Sequence, residues 1–380
     1  MKEKELTRLF NKKRREKAYN YHNKKNKFIV LNILLRLAAV VLFFYYNIEL
    51  KLYNFLSQDL IFTIKLFIYV SIVIFLYLLL DTITEYFTIY DLRKEYNLSA
   101  QSSEEWVKDR AKSFVLSLVL TYLFSLLFLF LTNNYPDNWW IIISITLSVF
   151  IVLLNYLLPI LILPLFYTLK SYPEGELKDR LMSTFDKLDI EIEDIYEINL
   201  SSKITSANAA VIGMGKTRKI LLSDNLAERF SADEIEAVLS HEIGHHVNKD
   251  IYKNLLLQPI IIFITAYLIN ISWSILLNWF GYIGLNSIVS IPLLLLYWGI
   301  LYSIFNPIQL YLSRTYEKRA DQFAFEVIKD PMTLGRAFAK LADDSLARLD
   351  YRWWEKFYKA SHPSIKSRII NAKEYRKNKS

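Results

Sequence analysis

The chain has 380 residues, 53% of them hydrophobic and 15% aromatic, with a net charge of +8. That composition is too apolar for an ordinary water-soluble chain of this length and points to a membrane protein. It contains no cysteine, which excludes disulfides, thiolate nucleophiles and zinc–sulfur sites.

Residues 1–27 hold eleven Lys/Arg against three acids, a surplus equal to that of the whole chain. An apolar run follows at once, so this segment reads as a basic cytoplasmic N-terminus that sets orientation and touches anionic lipid. A nucleic-acid arm is the other reading, but no groove-reading motif accompanies it, and no nucleic-acid partner is expected. Apolar runs long enough for a bilayer core of roughly 30 Å then recur. They lie at 28–46, 60–80, 113–132 and 139–169, with two more near 252–280 and 284–312. The first is read as a retained anchor, because no small-residue cleavage site follows it. The fourth contains Pro159 and Pro164 and should tilt, kink or emerge from the bilayer. Six spans are expected, and a seventh only if 83–98 or an end of the fourth run re-enters.

Loop charge fixes the expected orientation. The 47–59 and 132–138 loops are nearly free of Lys/Arg, whereas 81–112 carries Arg93, Lys94, Lys108, Arg110 and Lys112. The polar insert 170–250 and the tail 314–380 then both face the cytoplasm. Residues 28–169 would supply four spans and 251–313 two more. Within the insert, "PEGELKDRLMSTFDKL" has helical periodicity and "IYEINL" reads as a strand. "SANAAVIGMGKTRKILLS" reads as two strands joined by a turn around Gly215 and Lys216, and "DNLAERF" as a short helical turn. "SADEIEAVLSHEIGHHVNKD" opens with Ser231 and Glu234 in a capping-box pattern.

Three of the five histidines fall in that last segment. On a helix His241 and His245 point the same way and can share one metal, with Glu242 beside the open position. This is the H-E-x-x-H arrangement of zinc metalloproteases, in which the glutamate is the general base. His246 is about 100° further round and reads as a polar neighbour rather than a ligand. A third ligand must come from elsewhere. Glu317 and Asp321 in "SRTYEKRADQFAFEVI" share a helical face, so Glu317 can complete the set and Asp321 can bond the far nitrogen of a ligand histidine. The other reading is a solvated helix end paired with Arg314, Lys318 and Arg319. His362, taken alone, reads as a surface residue.

Four motifs in order, "SANAAVIGMGKTRKILLSDNL", "HEIGHH", "EKRADQFA" and "SHPSIKSRI", make the chain resemble the type I CAAX prenyl protease family of integral-membrane zinc endopeptidases. The resemblance covers roughly 170–370 at motif level. It implies a mainly α-helical multi-pass membrane protein with a small α+β zincin-like metalloprotease insert, completed by the C-terminal helices. It also implies one Zn2+ held by His241, His245 and Glu317, Glu242 as base, and Asp321 behind the ligands. Asn208 and Ala209 would present edge-strand backbone to an extended substrate, and His362 and Arg368 would steady its carbonyl and developing oxyanion. The expected partners are membrane lipids and a peptide or protein substrate, membrane-associated or lipid-modified. A bias toward Lys, Asn, Ile and Tyr suggests an AT-rich bacterial genome, hence the bacterial plasma membrane with the site on its cytoplasmic side. Two alternatives stand beside this: membrane-protein quality control by the same chemistry, and an inactive scaffold or transporter. The complete set of His241, Glu242, His245, Glu317, His362 and Arg368 weighs against the latter.

Overall fold

After a short helix, α1 (Glu3–Thr7), Asn11 caps α2 (Lys12–Tyr45) by accepting a hydrogen bond from the Arg14 amide at 3.1 Å. The structure, a computed structural model, describes residues 3–157, 161–213, 218–282 and 287–379. The 34 residues of α2 make a rod of about 51 Å, so the apolar run 28–46 is its second half and most of the basic segment its first. That segment is no loose tail. Arg15 donates to Asp343 (2.6 Å) and to the Ala342 and Ala347 carbonyls, and Leu6 and Phe10 are buried against C-terminal helices.

A short helix, α3 (Ile48–Phe55), leads to α4 (Phe62–Glu85), which runs through a π-helical turn at Tyr86–Tyr90 into α5 (Asp91–Glu95). The segment 83–98 therefore extends the second span instead of re-entering. α6 (Ser103–Asn134) starts from a capping box made by Ser102 and Glu105, and α7 (Trp139–Leu157) returns. Pro159 lies outside the described residues. Pro164 sits in the first turn of α8 (Leu163–Phe166), from which the chain leaves as β1 (Leu169–Ser171). The fourth apolar run thus ends in a strand that its hydrophobicity conceals.

The insert continues with α9 (Glu176–Lys187), β2 (Asp194–Ile198), β3 (Ala209–Ile212) and β4 (Lys219–Ser223). The sheet order is β1-β2-β4-β3, with β2–β4 parallel and the outer pairs antiparallel. The turn expected at Gly215 and Lys216 lies outside the described residues, but the strands on either side of it do pair. α10 (Asp224–Arg229) follows, and then α11 (Ala232–Val247), whose capping box is the one formed by Ser231 and Glu234. Lys249, in the left-handed region at φ 55°, ends this helix and starts α12 (Asp250–Trp279).

The sixth apolar run is not one straight helix. α13 (Ile291–Ile304) bends by 45° into α14 (Asn306–Val327), with Pro307 in the first turn after the break. Proline has no amide to donate across such a junction. Three helices close the chain: α15 (Met332–Asp344), α16 (Trp353–Tyr358) and α17 (Ile365–Lys379).

Among the described residues, five helices are long and apolar enough to cross a membrane: α2, α4 with its extension, α6, α7 and α12. The bent pair α13–α14 makes a sixth if counted as one span. This is a multi-pass helical membrane protein with a small sheet. Among the described residues two large cores organise it, beside a small cluster around Tyr21, Leu92 and Leu346. One lies within the spans, around Tyr69, Phe128, Ile143 and Trp273. The other joins the sheet and α11 to α14, α15, α17 and the N-terminal Leu6 and Phe10.

Candidate metal and active site

The helices α11 and α14 cross at Gly244. A Cβ placed on that residue would lie 2.8 Å from the Ala320 Cα, closer than side-chain carbons approach backbone, so glycine alone permits the crossing. His241 and His245 project from α11, and Glu317 and Asp321 from α14, each pair four residues apart on one face. The crossing brings the two faces together. One donor atom from each of His241, His245 and Glu317 lies within 4.8 Å of the other two. His241 Nε2 is 3.3 Å from Glu317 Oε2, and His245 Nε2 is 3.4 Å from Oε1. Glu317 Oε2 is buried and meets only His241 Nε2 and, at 3.5 Å, Arg368 Nη2, contacts that fall short of a well-formed hydrogen bond. A buried carboxylate oxygen so placed, beside two imidazoles, suits a transition-metal cation.

Both imidazoles are held from behind. His241 Nδ1 lies 3.0 Å from Asp321 Oδ1, and His245 Nδ1 lies 3.0 Å from Asp250 Oδ2. Asp250 is missing from the sequence expectation. Its only signal is position: five residues after His245, across the left-handed turn at Lys249, it opens the next helix and is 3% exposed. Phe338 on α15 is also missing, and nothing near it in the sequence marks it. Its ring lies 3.6 Å beneath the Arg368 guanidinium and edge-on to His241.

The two C-terminal residues separate in space. Arg368 is buried, and its Nε and Nη2 reach Asp321 at 2.9 and 2.5 Å. His362 is 56% exposed at its side chain, and its Nδ1 lies 2.8 Å from Glu317 Oε1. Of these two, only His362 is exposed to solvent.

A cleft of about 260 Å³ opens beside this group, lined by Val211, Glu242, His245, His246, Tyr316 and Glu317 among others. β3 is an edge strand of the sheet. Asn208 turns its backbone toward β4, accepting from the Ser223 amide (3.0 Å), and its side chain accepts from the Ala209 amide (3.0 Å). By antiparallel alternation, the outward-facing backbone groups on β3 are those of Ala209 and Val211. His246 approaches the Val211 carbonyl at 3.5 Å, placing it at the cleft and not among the ligands.

Electrostatics follow from burial. Burial and Arg368 pull the His241 imidazolium down, yet its contacts with the Asp321 and Glu317 carboxylates prevail and raise it to about 9. In Glu242 burial dominates and lifts the carboxyl above its ordinary range, against the pull of the two histidines. Burial lowers His246 to about 4, so it is neutral near pH 7.

Comparison with known proteins gives a consistent result. The family model for peptidase family M48 matches residues 171–376, and the model for the CAAX prenyl protease N-terminal region, five membrane helices, matches residues 2–168. The described residues supply four spanning helices within the latter range. The chain is 28% identical to the uncharacterized metalloprotease YhfN of Bacillus subtilis, over 75% of this chain and 68% of that protein. It is 26% identical to CAAX prenyl protease 1 of Saccharomyces cerevisiae, over 93% of this chain and 84% of that one. The crystal structure of S. mikatae Ste24p shares the fold, with a TM-score of 0.86 at 22% identity over 97% of this chain and 90% of that one. With one model covering the metal-bearing half and another the spans before it, the chain belongs to peptidase family M48 and is an integral-membrane metallopeptidase.

Proposed function

We propose that the metal is a single Zn2+ held by His241, His245 and Glu317, and that Glu242 is the general base for peptide hydrolysis. The observation that carries this reading is the convergence of three ligand atoms within 4.8 Å where the H-E-x-x-H helix meets α14, with Glu317 Oε2 short of a well-formed hydrogen bond. A two-nitrogen, one-oxygen set that leaves a fourth position open is the usual catalytic zinc shell. When bound, zinc would polarise the attacking water and the scissile carbonyl. Glu242 takes the water's proton, and its raised carboxyl suits a group that must later give that proton to the leaving amine. Asp321 and Asp250 fix the tautomers of His241 and His245, and Arg368 holds Asp321 in place. His362 donates to the carbonyl oxygen as charge develops there. The substrate lies extended along β3, meeting the outward groups of Ala209 and Val211, with Asn208 shaping the start of the strand.

In this reading 170–250 and 314–380 form one zincin-like unit on the cytoplasmic side of a bacterial plasma membrane, and 28–169 and 251–313 form the membrane part. Membrane-associated or lipid-modified peptides are the substrate class, by analogy with the relatives named CAAX prenyl protease 1. Purified protein should carry about one zinc per chain. Chelator should abolish cleavage of a farnesylated peptide, and added zinc should restore it. Metal-free protein that cleaves as well as the untreated sample would refute the proposal.

A further inference from the structure

The stretch between α15 and His362 carries aromatic residues that the chemistry above does not use. Trp353 is 80% exposed, and Phe357 and Tyr358 are about half exposed. Water-facing aromatics of this size on a six-residue helix call for a partner. Two observations name it. The first is placement. Asn306 donates to the Tyr358 carbonyl, Arg314 to the carbonyls of Lys356 and Ala360, and Ser313 to that of Ser361. These bonds strap α16 along the start of α14, beside the 45° bend where the last apolar helix ends. There Ile300, Ile304, Ile308 and Tyr311 continue the exposed apolar face of α13 onto α14. The second is charge. The exposed charged side chains of 351–360 are Arg352, Lys356 and Lys359, all basic, while the one acid, Glu355, is buried against Arg348.

We infer that α16 is an interfacial anchor that lays Trp353, Phe357 and Tyr358 into the headgroup layer of the membrane the protein spans, with its basic side chains on anionic lipid. Tryptophan and tyrosine favour that layer because it accepts both their rings and their polar ends. Basic residues above an apolar face are the pattern of helices that lie in the interface. The anchor ends four residues before His362, so the lipid surface would help set where that histidine stands over Glu317. The inference goes beyond peptide hydrolysis and does not depend on it.

The absence of native cysteine allows a direct test on the full-length protein. Phe357→Cys, labelled with an environment-sensitive fluorophore, is reconstituted in phosphatidylcholine vesicles with and without phosphatidylglycerol. Val41→Cys in α2 and Ser183→Cys in α9, both exposed positions, serve as membrane and water references. The expected result is blue-shifted emission at position 357, quenched more by spin labels near the lipid headgroup than by labels at the chain end. The quenching should strengthen with phosphatidylglycerol, and the gain should vanish in a Lys356→Glu/Lys359→Glu background. Emission and quenching at 357 that match position 183 would overturn the inference. So would a blue shift that disappears on dilution to one protein per vesicle, since that would assign the face to a second copy.

Discussion

In the membrane bundle, polar side chains mostly satisfy their own helix. Ser125, Thr132, Ser144 and Ser148 each donate to a carbonyl four residues back, and between helices aromatic edges such as Phe128 on Trp139 and Trp273 join a few polar bonds, among them Asn32 to Thr88, Arg36 to Asp81 and Tyr282 to Glu49. In the metal-bearing half the polar side chains reach far along the chain. Arg15 bonds Asp343, Arg180 bonds Glu236, and Arg368 bonds Asp321. The core of the bundle around Phe128 and Trp273 is held by fit, which tolerates substitution of like for like. The site is held by directed bonds, where removing one partner leaves another group buried and unpaired.

Four substitutions or titrations would sharpen or break that contrast. Glu242→Gln should lower turnover by about 10²–10⁴-fold while metal content, read by elemental analysis, stays unchanged. Retained turnover would remove Glu242 from the base role. Asp250→Asn should weaken metal affinity by about 10–100-fold in a competition titration with a fluorescent chelator. Unchanged affinity would reduce the Asp250 contact to packing. The metal-free His241 stays protonated up to about pH 9. Metal must displace that proton, and any held by His245, whose imidazolium is also raised, so affinity should rise at least tenfold per pH unit between about pH 6 and 8, then level off above about 9. A flat profile would contradict the Asp321 and Glu317 bonds that hold the proton. Phe128→Ala should cost the bundle about 3–5 kcal/mol in thermal or denaturant unfolding and leave metal affinity within about twofold. A large loss of affinity would show that the two halves are coupled more tightly than their bonding suggests.

What the sequence discloses follows the same division. The spans announce themselves because burial in lipid demands long apolar runs, and the ligand pairs because helical spacing puts i and i+4 on one face. β1 escapes notice because it is only three residues long and straddles the end of an apolar run at Leu169. The bend between α13 and α14 is masked because hydrophobicity continues through Phe305, although Pro307 marks it. Asp250 and Phe338 elude a linear reading for different reasons. The first acts across a left-handed turn, and the second touches His241 only through tertiary packing. Arg368 and His362 stand six residues apart in one motif, yet only the fold shows that one is buried behind Asp321 while the other is exposed beside Glu317.

The N-terminal segment has a consequence for the order of events during synthesis. Leu6, Phe10 and Arg15 leave the ribosome well before α15 and α17, the helices whose core and bonds they join. Between those moments every span must be inserted, and Glu317 must emerge beyond the bend before the ligand set is complete. A nascent chain stalled before residue 317 lacks the third member of the candidate ligand set, and one stalled before 368 lacks the clamp on Asp321. The site can therefore assemble only after the helices that precede α14 have been made.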